Sequence, residues 1–279
     1  MPLQPTYFQQ PMTPAPTPSA KPPKPPRKPL LRLELRDLSH SGTTSFLTLL
    51  DVSSVLDEAV AGVLNLLYTA HSHIPPIRSV TLILRPMHGV AYTTGKDIDS
   101  DHKEIHFSTD YITSVPQERR RREMLGVIRH EMVHCWQWNA MGSAPGGLIE
   151  GIADYVRLRC GFVPPHWKQE CDGDWDAGYQ HTAYFLDYLD NQYGAGSVMA
   201  INESLKCREY KEKTFWKGLF GKDVEDLWQE YGRYLKSKDD KLETEDELKK
   251  LKLEDGKTQP QKDAEPTEAE SSGDPAGTA

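Results

Sequence analysis

Arg129-His130-Glu131-Met132-Val133-His134 is the stretch that decides how this chain folds. It lies within a run whose apolar spacing predicts a helix over about 115–139. Residues four apart on a helix stand one above the other on the same face. His130 and His134 can therefore aim both imidazoles at one point, with Glu131 beside them at the rim. Two imidazoles and an adjacent carboxylate at this spacing are the donor pattern of a catalytic zinc site in which the glutamate acts as general base. Cys135 follows His134 directly but points about 100° away round the helix, so it reads as a buried structural thiol.

A catalytic zinc takes three protein ligands and keeps one position open. A third histidine of the H-E-x-x-H-x-x-G-x-x-H kind is excluded, because Gln137 stands where the glycine belongs and Ala140 where the histidine belongs. The next helical run, about 148–160, follows the turn 142–147 and carries Glu150 and Asp154 one turn apart. Glu150 is thus the candidate third ligand. Asp154 is the candidate acceptor for the outward N–H of a ligating imidazole, a contact that fixes the ring's tautomer. Between them Gly151 gives up about 1 kcal/mol of helix propensity relative to alanine, which marks a site of close backbone approach.

Upstream, Leu31, Leu33 and Leu35 alternate with Arg32, Glu34 and Arg36, the period of a half-buried strand, and the fold begins there. An amphipathic helix over about 53–69 follows, with Leu56, Val60, Val63, Leu64 and Leu67 on one face and Ser53 or Ser54 as its cap. Strand-like runs come at 80–84, 89–93 and 104–107. Beyond Ser114 the periodicity is helical, with further helices predicted at about 178–193, 196–207 and 222–235. Strands first and helices after predict an α+β domain over 31–235.

Three ordered blocks, HEMVHCWQWNA (134 is its second histidine), APGGLIEGIADYVRLRCG and GYQHTAYFLDYL, resemble the basic secretory protein family, zincin-like peptidases of plants, fungi and bacteria with a glutamate as third ligand. The likeness runs from about Leu31 to Leu235. It implies a small mixed twisted sheet, an active-site helix beneath it and a mainly helical second half. It also implies zinc-dependent hydrolysis of peptide bonds in peptides or proteins, one Zn²⁺ per chain. Carried over, His130, His134 and Glu150 are the zinc ligands and Glu131 the base. Tyr179 is the expected donor to the oxyanion, with His181 as its alternative, and Ile105, His106 and Phe107 are the expected edge strand for extended substrate. A zincin domain that binds zinc and a protein partner without cleaving it is the second reading; the intact Glu131 favours the enzyme.

The flanks differ in kind from this core. Eleven of the 21 prolines fall in the first 30 residues, and residues 1–30 read as a disordered basic tail with too little apolar surface to offset ordering entropy. Within it, residues 21–29 (KPPKPPRKP) offer a weak PxxP contact of the SH3 type. Residues 236–279 carry 13 acidic against 8 basic residues and read as a mostly disordered acidic tail, with a short helix near 243–253. The net charge of −8 disfavours nucleic acid and anionic membranes as partners, and no apolar run approaches the ~20 residues of a spanning helix. No secretory signal opens the sequence as written, so a cytoplasmic location is expected although the resembled family includes secreted members. The four cysteines are expected to be mostly reduced, with Cys160–Cys171 the one plausible bridge. Asp172–Asp176 imitates a calcium loop but lacks its sixth-position glycine and twelfth-position glutamate. Arg119–Arg122 read as a solvated helix face.

Overall fold

The computed structural model describes residues 28–255. The chain divides into two compact units, one ending at Gln137 and one beginning at Trp138. The proline-rich stretch through residue 27, with most of the PxxP motif, and residues 256–279 lie outside the described residues.

The first unit opens with β1 (Leu30–Leu35), in which half-buried leucines alternate with exposed charges as predicted. A short helix that the periodicity does not announce comes next, α1 (Ser41–Leu49), capped by His40, whose Nδ1 accepts the Gly42 N–H at 3.0 Å. The amphipathic helix α2 (Val52–Leu67) buries Leu56, Val60, Val63 and Leu67. Its cap is Asp51, which accepts the Ser53 N–H at 3.1 Å, rather than Ser53 or Ser54. The helix starts one residue earlier than predicted, so both serines already lie in its first turn.

Strands β2 (Ser79–Arg85), β3 (Ala91–Gly95) and β4 (His102–Ser108) complete a mixed four-stranded sheet of order β1-β2-β4-β3. The pairs β1–β2 and β2–β4 are parallel, and β3 folds back antiparallel on β4. This order corrects one expectation. Ile105, His106 and Phe107 do not form an edge, because β4 has a hydrogen-bonded neighbour on each side; Ile105 and Phe107 are fully buried. The edges are β1 and β3.

After α3 (Thr109–Ser114) comes α4 (Gln117–Trp136), buried almost continuously from Met124 to Val133 and packed against α2, β3 and β4. At its start Arg119, Arg121 and Arg122 face solvent as predicted. Arg120 instead turns back to donate to the Thr113 and Val115 carbonyls at 3.2 and 3.0 Å and to Ser45 Oγ at 3.0 Å. It thereby satisfies carbonyls that the end of α3 leaves without helical partners.

The second unit is helical: α5 (Gly146–Arg159), α6 (Tyr179–Tyr193), α7 (Ser197–Ser204), α8 (Glu212–Phe220) and α9 (Val224–Asp255). Its core is aromatic. Trp175, Phe185, Trp216 and Tyr231 are buried, and the Trp175 ring meets Trp216 edge-on with centroids 5.1 Å apart. Asp190 ties three helices together, accepting from Tyr155 Oη at 3.1 Å and from the Gly196 N–H at 2.9 Å. Helix α9 passes the predicted stop at residue 235 and runs on to Asp255. The apolar face ends near Leu235, but good helix formers continue and the first breaker is Gly256. Among the described residues no disulfide joins Cys160 to Cys171, and no helix is long and apolar enough to cross a membrane. The α+β architecture, with a small mixed sheet followed by helices, is the one predicted.

Candidate active site

In the first unit the last turns of α4 carry the two histidines as the four-residue spacing requires. Their Nε2 atoms lie 3.2 Å apart, and the rings meet edge to face with centroids 4.9 Å apart. Two ligands each 2.0–2.1 Å from a tetrahedral ion would stand about 3.3 Å apart, so the spacing of this pair suits a shared metal. His134 Nδ1 lies 3.0 Å from Gln137 Oε1. An amide oxygen only accepts, so this contact places the His134 proton on Nδ1 and leaves Nε2 with its lone pair. Gln137 enters the sequence reading only as the residue that excludes a third histidine; its place three residues beyond His134, on the same helical face, is the signal for this second role.

Glu131 is 6% exposed, and the Thr93 hydroxyl on β3 stands 2.7 Å from its Oε2 and 2.9 Å from its main-chain oxygen. Thr93 enters the sequence reading only as the last residue of a strand-like run, and a contact across 38 positions leaves no spacing by which to find its role. Cys135 is buried as expected, and burial pushes its thiol well above the ordinary range, so no thiolate nucleophile sits beside the histidines.

His106 lies on the opposite face of the sheet from Thr93, since it pairs with Tyr92 in the β3–β4 register and stacks on that ring at 4.6 Å. Its Nε2 contacts Glu104 Oε2 at 3.3 Å. Burial holds its pKa below the ordinary histidine value, with the Arg85 and Arg36 charges acting the same way against the opposing Glu104 contact.

In the second unit Glu150 and Asp154 lie one turn apart on α5, and Asp154 is 2% exposed. The glycines around Glu150 explain how α6 comes so close. A Cβ at Gly147 would collide with the Asp176 carbonyl, and one at Gly151 with the Thr182 side chain. Gly151 thus marks a close approach, as the sequence predicts, although the partner is a threonine side chain. Thr182 fastens the loop before α6 by accepting the Gly178 N–H at 3.0 Å and donating to the Trp175 carbonyl at 2.8 Å. Gly178 sits where a Cβ would lie 3.8 Å from Glu150 Cβ, so this seam sets Tyr179 down one residue from the Glu150 side chain. Tyr179 opens α6 with φ 48° and is 59% exposed. A left-handed non-glycine residue of this kind stores about 1–3 kcal/mol of strain and is common at functional sites. His181 Nε2 lies 3.7 Å from Glu170 Oε2, beyond hydrogen-bonding distance.

His130 and His134 in the first unit and Glu150 in the second are residues that could hold a metal ion, each offering one ligand atom. Two imidazoles and a carboxylate match the donor chemistry of catalytic zinc. The family described as BSP, peptidase of plants and bacteria, matches residues 28–231, and the chain belongs to it. It is accordingly a member of a peptidase family. No curated protein and no solved structure matches the chain.

Proposed function

We propose that the protein is a zinc-dependent peptidase of zincin type, with His130, His134 and Glu150 as ligands, Glu131 as general base and peptides or proteins as substrates. The observation that carries this reading is the His130–His134 pair, with Nε2 atoms 3.2 Å apart and Glu131 on the same helical turn. Zinc, when bound, supplies Lewis acidity, which lowers the pKa of water towards ~7 and polarises a carbonyl.

The chain's own groups do the rest. Glu131 accepts the proton of the attacking water as the carbon–oxygen bond forms, then delivers it to the departing amine as the carbon–nitrogen bond breaks. Gln137 holds His134 in the tautomer that leaves Nε2 as a donor atom, and Asp154 serves the same end as an outer acceptor for a ligating imidazole. Tyr179 donates its phenolic proton in a hydrogen bond to the developing oxyanion; its exposure beside Glu150 supports it over His181.

The test is cleavage of a peptide library by the natural protein and by Glu131→Gln. Specific cleavage by the first and its loss in the second, with an unchanged circular dichroism spectrum, is expected. Equal cleavage by both would refute Glu131 as base.

A further inference from the structure

We infer that Thr93, on the edge strand β3, is a positioning residue that fixes the carboxylate of Glu131; this rests on Glu131 being the general base. The Thr93 hydroxyl has one proton and two acceptors within reach on the same residue, Glu131 Oε2 at 2.7 Å and the Glu131 carbonyl at 2.9 Å. The carboxylate is the stronger acceptor, being charged and nearer. The carbonyl lies inside α4, where the helical N–H of Cys135 serves it regardless. The donated bond therefore matters chiefly to the side chain.

The alternation of the strand turns Thr93 towards the helix. Ala91, Thr93 and Gly95 share the face of β3 that turns towards α4, while Tyr92 and Thr94 point the other way. Thr93 is β-branched, so its own χ1 is stiff, and its main chain is held in register opposite Ile105. A rigid donor on a strand thus holds a flexible glutamate on a helix. An ionised carboxylate has about four acceptor sites, so one bond from Thr93 fixes its orientation and leaves capacity to take a proton. A base misplaced by ~1 Å loses about 100-fold in rate.

Thr93→Val keeps the shape and the strand propensity while removing the donor, and Thr93→Ser restores a donor. Crystal structures of the metal-free natural protein and both variants read placement directly. Kinetics and zinc analysis of the zinc-loaded proteins read its consequence. The expected result is a Glu131 carboxylate that leaves its position in the valine variant and regains it in the serine variant. With it, kcat should fall on the order of 10- to 100-fold in Thr93→Val at unchanged KM and zinc content, and recover to within about 3-fold in Thr93→Ser. An unmoved carboxylate in Thr93→Val, an unchanged kcat, or a loss that serine does not rescue would each overturn the assignment. If Glu131→Gln retains full activity, the base assignment itself fails, and the metal-free structures still decide whether Thr93 places the side chain.

Discussion

Gly151→Ala is the perturbation whose magnitude the structure defines best. At an ordinary helical position the change would stabilise by about 1 kcal/mol through helix propensity. Here the new methyl would fall on the side chain of Thr182, which is fully buried. Thr182 cannot rotate out of the way without loss. Its hydroxyl accepts from Gly178 N at 3.0 Å and donates to the Trp175 carbonyl at 2.8 Å, and losing both bonds would leave buried groups unmatched. Overpacking of this kind costs about 1–3 kcal/mol, and each broken hydrogen bond adds about 1 kcal/mol. Against the propensity gain the net is about 2–4 kcal/mol of destabilisation. At roughly 2–4 °C per kcal/mol for a chain of this size, Tm should fall by about 4–16 °C in a thermal melt followed by circular dichroism. Gly218→Ala is the control, since it lies on the exposed side of α8 with nothing within 4 Å of the new methyl, and it should hold or raise Tm. A Gly151→Ala protein as stable as the natural one would refute the close packing of α5 on α6.

Replacing Gln137 with Leu removes the acceptor from His134 Nδ1 and should weaken zinc binding about 10- to 100-fold, read by competition with a chromophoric chelator. Because the folded state holds His106 below its unfolded pKa, the unfolded chain binds the proton first, so stability should fall as pH drops below ~6.5. Equilibrium urea unfolding across that range should show the slope, and His106→Gln should flatten it. Iodoacetamide at pH 8 should label exposed Cys207 quickly in the native protein and reach buried Cys135 only after denaturation, as peptide mass mapping would show.

What the sequence makes legible is what has a period or a fixed spacing. The alternation of Leu31, Leu33 and Leu35 identifies a strand because side chains on a strand change face at every residue. The four-residue interval between His130 and His134 survives unaltered as a 3.2 Å contact because it depends only on helix pitch. Strand order has no such signature. The apolar run around Ile105 reads equally well as an edge or an interior strand, and it is the antiparallel return of β3 that buries it. Helix α1 escapes notice because its Gly42, Thr43 and Thr44 have low helix propensity, and contacts with α3 and the His40 cap offset that deficit. In the candidate site, Gln137 stands at a readable helical interval from its partner, whereas Thr93 meets Glu131 only through tertiary packing.

Binding of a single zinc ion by two histidines and a glutamate is read without intermediaries by elemental analysis of the purified protein and of Glu150→Ala. One zinc per chain in the natural protein, with tightly bound metal lost in Glu150→Ala while the fold persists, is expected. A natural protein that takes up no zinc from buffered solution, or a Glu150→Ala variant that retains it at undiminished affinity, would contradict it.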